Sequence, residues 1–329
     1  MTLTRRGVLA SAASLLAHRL APAETATPRE RRIELHYEAT LSSIPAGAPL
    51  QFWMPVAHDD AFQKIESLTI ESPAPYSVKT GPHGNRILHL AVVPANTDPV
   101  TVKLALRATR RERLVRPVAS AAGTATLSEQ ERAAYTQPDR LVPLDDTIRR
   151  WAREVVDAAA ARTDLEKARA IYSHVVATVK YDKTGKGWGR GDIYYACENR
   201  RGNCTDFHAI FIGYSRALGI PARFSIGFPL PAQRGEGRIA GYHCWAEFFA
   251  DGVGWVPVDA SEAAKDPNRR EYFFGALDEN RVEFSRGRDL VLTPPQQGAP
   301  LNYFVFPYAE AAGNPHTAVE TTVAYRDLS

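Results

Sequence analysis

The sequence predicts an α+β protein: an antiparallel β-sandwich, then a domain in which a buried helix packs on an antiparallel sheet. Three observations carry this. Short runs that alternate apolar and polar residues fill the first third of the chain. One apolar stripe at helical spacing follows Cys204, and three strand-like runs come after it.

With 329 residues, 44% hydrophobic and 23% charged, the chain has room for a full-sized core and two domains. Its first residues read differently. Thr4-Arg5-Arg6-Gly7-Val8-Leu9 leads into a modestly apolar run to Leu20, and Ala21-Pro22-Ala23 offers a small-residue cleavage site. These features predict a twin-arginine export signal over 1–23 and a periplasmic or otherwise exported protein. The run is too short for a membrane span and is broken by His18 and Arg19. The net charge of +3 is cancelled when Arg5, Arg6 and Arg19 are removed with the signal, because no acidic residue precedes Glu24. A neutral mature chain lacks the electrostatic footprint of nucleic-acid or anionic-membrane binding.

From Arg32 to Thr109, runs such as Ile33-x-Leu35-x-Tyr37 and Val100-x-Val102-x-Leu104-x-Leu106 alternate with period two. They predict a sandwich over 30–115. Its histidines, His36, His58, His83 and His89, fall one per segment and read as surface or strand residues. Arg110, Arg111, Arg113 and Arg116 read as a solvated strand end. A linker over 116–146 follows, with one short helix signalled by the capping box Ser128-x-x-Glu131.

A core domain is expected over 147–292. Ile148, Trp151 and Val155, then Leu165, Ala168, Ile171, Tyr172, Val175 and Val179, mark two helices. Thr184 to Gly191 is a glycine-rich loop carrying Trp188. It is not a phosphate loop, because no strand precedes it and no Gly-Lys-Ser/Thr follows. Arg201-Gly202-Asn203 then reads as a tight turn into a helix starting at Cys204, whose buried stripe is Phe207, Ile210, Phe211, Tyr214 and Leu218. Gly219-Ile220-Pro221 ends it. The free N–H groups of a helix N-terminus favour a thiolate over a thiol at Cys204.

Strands are expected at Ala222 to Phe228, Tyr242 to Phe249 and Val253 to Val258. Alternation places His243, Trp245 and Glu247 on one face and Tyr242, Cys244, Ala246 and Phe248 on the other, which predicts that His243 and Cys244 do not share a site. Asp259 ends the third run. Glu262 to Arg270 reads as a polar loop and Tyr272 to Leu277 as apolar. Leu301 to Tyr308 and Val319 to Tyr325 read as closing strands within a C-terminal segment, 293–329.

A cysteine at a helix N-terminus, a histidine on a later strand and an aspartate ending the next are the parts of a thiol acyl-transfer site. Cys204 would attack a carbonyl, His243 would take and return a proton, and Asp259 would orient the imidazole. A competing reading ligates a metal such as zinc through Cys204 and His208, four apart on one helical face, with Cys197 or His243. Neither a paired C-x-x-C nor an H-x-x-x-H accompanies them, so no metal or cofactor is expected. Cys197, Cys204 and Cys244 make an odd number in an exported chain. A Cys197–Cys244 disulfide and two free buried thiols both remain open.

Four blocks, Arg201-Gly202-Asn203-Cys204-Thr205-Asp206, Arg216-Ala217-Leu218-Gly219-Ile220-Pro221-Ala222-Arg223, Tyr242-His243-Cys244-Trp245-Ala246-Glu247 and Gly254-Trp255-Val256-Pro257-Val258-Asp259, resemble the transglutaminase-like superfamily in order. The resemblance covers about 145–265, and the tail to Leu292 resembles bacterial members. It implies a papain-like scaffold with Cys204, His243 and Asp259 as nucleophile, base and orienting acid, acting on a protein or peptide substrate, cell-wall peptide included. One oxyanion donor would be the Cys204 backbone N–H. Animal transglutaminases place a tryptophan before the cysteine helix, which makes Trp188 the best match for a second donor and Tyr194 the fallback. The alternative is a catalytically silent module that keeps the fold and binds peptides or cell-wall strands, against which the intact triad argues.

Overall fold

The computed structural model describes residues 27–115 and 124–329. The expected export signal, Arg116 and the first part of the linker lie outside the described residues.

Two five-stranded sheets form the sandwich. One runs in the order Glu236–Arg238, Val319–Asp327, Glu30–Leu41, Val100–Arg111 and Gln63–Glu71; the other runs Asn314–Pro315, Tyr308–Ala311, Leu50–Val56, Arg86–Val92 and Tyr76–Thr80. Alternate residues of Glu30–Leu41 (Ile33, Leu35, Tyr37, Ala39 and Leu41) are buried, as the period-two pattern demands. The last strand, Val319–Asp327, pairs antiparallel with Glu30–Leu41 from the other end of the chain. The sandwich is therefore built from both termini. The expected strand from Leu301 is reduced to one bridge between Leu301 and Leu290, and regular pairing begins at Tyr308.

The second sheet system has four antiparallel strands in the order Gly254–Val258, His243–Ala250, Ala222–Pro229 and Arg281–Arg286. The cysteine helix, Cys204–Ala217, packs across it, with Phe211 and Phe248 ring centroids 6.1 Å apart. Helices Asp146–Ala158 and Asp164–Thr178 flank that helix and are capped by Asp145 and Thr163. All eight residues of His243–Ala250 are buried: the cysteine helix covers one face of the strand, and Arg113, Arg223 and Arg281 lie against Glu247 and Trp245 on the other. The segment from Glu262, expected as a loop, starts as the helix Ala260–Lys265, since Asp259 Oδ1 accepts the Glu262 N–H at 3.0 Å and so caps it.

Sandwich and core domain share one hydrophobic core. Tyr37 stacks edge-on against Phe228 and Phe284, and its hydroxyl donates to the Val305 carbonyl at 2.9 Å. Side chains replace sheet pairing at the seam. Gln63 donates to the Glu283 carbonyl and accepts its N–H, and Asn85 does the same for Arg286.

The arginines expected as a solvated strand end divide. Arg111 is exposed, whereas Arg110 and Arg113 are buried. Arg113 Nη1 and Arg223 Nη2 each lie 2.8 Å from Glu247 Oε2. His58 is likewise buried, 3.4 Å from Glu283. Burial alone would favour a neutral Glu247, but the charges of Arg113, Arg223 and Arg286 hold its carboxyl far below the usual range.

A depressed carboxylate stabilises the fold above its unfolded pKa of about 4.3, and this contribution disappears as pH falls through the folded value. Glu247→Ala strands the buried Arg113 guanidinium and leaves the half-buried Arg223 without its partner. We expect it to lower the urea midpoint at pH 7 by an amount equivalent to about 3 kcal/mol.

Candidate active site

The glycine turn and the helix cap set the position of Cys204. Asn203 caps the helix, its Oδ1 accepting the Thr205 N–H at 3.0 Å, and Asp206 Oδ2 accepts the Asn203 N–H at 2.9 Å. The same carboxylate holds the glycine-rich loop: Oδ2 takes the Gly189 N–H at 2.7 Å and Oδ1 the Gly191 N–H at 3.1 Å. A Cβ on Gly202, whose φ is +157°, would overlap that carboxylate. Gly202 is therefore required by close approach. Arg288 ties the loop down from the other side through the Gly191 and Arg190 carbonyls at 2.9 and 3.0 Å.

Cys204, His243 and Asp259 converge at one edge of the four-stranded sheet. His243 opens its strand and Asp259 follows the end of the neighbouring antiparallel one, so the two meet at the same edge. His243 Nε2 lies 2.7 Å from Asp259 Oδ2, and the Cys204 sulfur is near enough to raise the basicity of the ring. With Nε2 taken by Asp259, Nδ1 is the nitrogen left for sulfur. All three are buried, with Cys204 at 1% exposure, His243 at 6% and Asp259 at 0%.

Charge follows from this packing. Burial opposes ionisation of Asp259, but His243, Arg281 and His208 hold it well below the usual carboxylate range. Arg281 Nη1 lies 2.9 Å from Oδ2, and the Ser261 hydroxyl and Glu262 N–H each donate to Oδ1 at 3.0 Å. Burial also opposes a charged His243, yet Asp259 and Cys204 lift it to about 10. For Cys204, burial is overcome by hydrogen bonds from Cys244 and His243 and by the imidazolium charge, and the thiol falls well below its ordinary value. Both shifts favour a thiolate at Cys204 beside a protonated His243.

The remaining predicted residues lie elsewhere. Trp188 Nε1 donates to the Gly185 carbonyl within its own loop at 3.2 Å, and the Tyr194 hydroxyl donates to Asp145 at 2.7 Å. Neither hydrogen-bonds Cys204. The Cys197–Cys244 bridge is absent, and all three cysteines are free thiols. Cys197 sits on the helix Ile193–Asn199 with its sulfur 3.4 Å from the Tyr214 hydroxyl, and burial pushes its thiol up to about 11. Cys244 instead joins the site. It does face the helix while His243 faces the other way, yet both side chains act on the Cys204 thiol and lower it. The expectation that His243 and Cys244 cannot share a site is corrected on that ground.

Arg281 carried no signal in the sequence. Asp206 did, since it stands three residues after Asn203 at capping-box spacing. Tyr242 roofs the cysteine turn: its hydroxyl accepts from Asn203 Nδ2 at 3.0 Å and lies 3.3 Å from the Tyr303 hydroxyl. Beside His243 opens a cleft of about 430 Å³ bounded by Tyr181, Lys183, Arg238 and Tyr242. A larger cavity of about 770 Å³, walled by Trp151, His174, Cys197 and Tyr214, lies among the helices and contains none of the three residues. Among the described residues, no group of three or more His, Cys, Asp or Glu side chains is disposed to hold a metal ion. No helix there is long and apolar enough to cross a membrane.

A helix bearing cysteine at its start, laid on an antiparallel sheet that supplies histidine and aspartate at one edge, defines a papain-like α+β domain. Residues 149–260, which contain all three side chains, match the transglutaminase-like superfamily, and that segment is a transglutaminase-like domain. An uncharacterized protein of Haemophilus influenzae is 36% identical over a 145-residue alignment that takes in 35% of this chain. The alignment covers 39% of that relative's length. A candidate cysteine protease of Cytophaga hutchinsonii shares the fold at 17% identity and TM-score 0.61, over 92% of each chain. The periplasmic domain of TgpA from Pseudomonas aeruginosa superposes loosely, with TM-score 0.37 and 14% identity over 73% of this chain and 90% of that one.

Asp206 is the tie between the glycine loop and the cysteine turn. Asp206→Ala is expected to speed hydrogen exchange at Gly189 and Gly191 by about tenfold or more while leaving the central strands protected, as read by mass spectrometry.

Proposed function

We propose that this chain performs thiol-dependent acyl transfer on amide bonds of a peptide or protein. The single observation that supports this best is the buried 2.7 Å contact between His243 Nε2 and Asp259, close to a cysteine at a helix N-terminus that raises the basicity of the ring. The Cys204 thiolate attacks the amide carbonyl, and the developing oxyanion is met by the Cys204 backbone N–H, which has no intrahelical partner. His243 then gives its proton to the leaving amine, producing a thioester. Water or a second amine, deprotonated by His243, attacks the thioester and releases the thiolate. Asp259 holds the ring throughout, and Arg281 keeps Asp259 ionised. The amino-terminal export signal adds a periplasmic setting to the proposal, with peptides of the cell wall among the substrates.

The roof over Cys204 favours a second reading. A cysteine at 1% exposure under Tyr242 and Tyr303 suits a module that binds peptides without cleaving them.

Incubation with a panel of short peptides, with and without a dansylated alkylamine, separates the outcomes by mass spectrometry. We expect cleaved or amine-coupled product that Cys204→Ala abolishes and that His243→Ala reduces by about a thousandfold. Peptides bound but unchanged over days would favour the silent module.

A further inference from the structure

The mechanism above gives no role to the cleft of about 430 Å³ that borders His243, although the charge around it is uneven. Lys183, Arg238 and Lys265 line it against one carboxylate, Glu262. Three separate elements deliver the cations, and each is fixed by the architecture of the site. Lys183 follows Lys180–Tyr181, a strand that pairs in parallel with Arg201–Gly202, and the Asp182 N–H donates to the Gly202 carbonyl at 3.0 Å. The turn that delivers Cys204 therefore also places one wall of the cleft. Lys265 ends the helix Ala260–Lys265, whose cap is Asp259. Arg238 ends the sandwich edge strand Glu236–Arg238, which pairs with Val319–Asp327, and the Ile239 N–H extends that pairing to the Val323 carbonyl at 2.8 Å.

These charges do not balance within the cleft. Glu262 Oε1 lies 2.6 Å from Lys265 Nζ and 3.9 Å from His243 Nε2, so the one carboxylate is already shared. Lys265 Nζ stands 3.9 Å from the centre of the Tyr181 ring, and Lys183 Nζ 5.7 Å from the same centre. The ring attracts both ammonium groups but supplies no countercharge, and two like charges gathered on one ring repel each other. Asp182, the acid next to Lys183 in the chain, lies 3.9 Å from Arg201 instead. Among the described residues, neither Lys183 nor Arg238 forms an ion pair. We infer that the cleft recognises a carboxylate on the peptide substrate, met by Lys183 and Arg238, and so selects peptides with an acidic side chain or a free C-terminus near the amide under attack. A carboxylate seated there offsets the repulsion between the ammonium groups and gives the Arg238 guanidinium a planar partner. Because His243 borders the same cleft, the anion and the attacked amide are close neighbours on one peptide.

This rests on the acyl-transfer reading of Cys204 and His243, and binding measured apart from turnover separates the two. Acetylated alanine pentapeptides with a central glutamate or glutamine, each as the free acid and as the amide, are titrated into the full chain carrying Cys204→Ala by isothermal titration calorimetry. The parent is incubated with the same four peptides and a dansylated alkylamine, and products are scored by mass spectrometry. The glutamate amide and the glutamine free acid each isolate one source of the carboxylate. At least one of them should bind about tenfold tighter than the uncharged glutamine amide at low salt, an advantage mostly lost at about 0.5 M salt; the tighter of the two identifies the source. Lys183→Gln and Arg238→Gln, both at exposed positions away from the core, should each shrink that advantage by about threefold. Equal binding of all four peptides, an advantage that survives both substitutions, or no binding at all overturns the carboxylate site, and product from the parent in those cases leaves the acyl-transfer reading standing. A preference that depends on Lys183 and Arg238, with no product over days, supports the carboxylate site and counts against acyl transfer.

Discussion

An ionised carboxylate sealed from water is the constraint on which the site depends. Asp259 is at 0% exposure, and a buried charge of that kind is costly unless its lone pairs are met. Here every donor has a structural origin. The Ser261 hydroxyl and Glu262 N–H come from the helix that Asp259 caps, Arg281 comes from the outer strand of the core sheet, and His243 comes from a strand two places away from it. The cap that starts a helix is thus also the anion that charges the imidazole.

Support for this arrangement reaches well beyond the core domain. Arg281 opens the strand whose later backbone is gripped by Gln63 and Asn85 of the sandwich, and its guanidinium also pairs with Asp278 at 3.2 Å and lies over Trp245. Trp245 shares its strand face with His243 and with Glu247, whose buried pairing with Arg113 joins the two parts of the chain. The sandwich therefore serves as the back wall of the sheet that presents histidine and aspartate. Closing it with strands from both ends of the chain makes that wall depend on the whole sequence.

Local rules made much of this legible. The capping box at Ser128, the apolar stripe after Cys204 and the alternation along Glu30–Leu41 each reflect neighbours a few residues apart, and each forms as its spacing predicts. What escaped the sequence depends on distant partners. Arg113 resembles any strand-end arginine until Glu247 arrives from 134 residues away, and Arg281 has no local mark of its contact with Asp259. Cys244 failed for a different reason. Strand alternation correctly sends it to the face opposite His243, but the rule describes neighbours along one strand, and both side chains act on the thiol of a different element. Trp188 shows the limit of resemblance, since its indole N–H is engaged by its own glycine loop.

The central claim is that Asp259 and Cys204 together hold His243 as an imidazolium. Its most direct test is the protonation state of the His243 ring, followed by nitrogen-15 NMR of histidine-labelled protein across pH. The account predicts a ring that stays protonated from neutral pH up to about 10 and that loses its proton at markedly lower pH in Cys204→Ala. A His243 that titrates near the ordinary imidazole value of about 6.5, with or without Cys204, would contradict it.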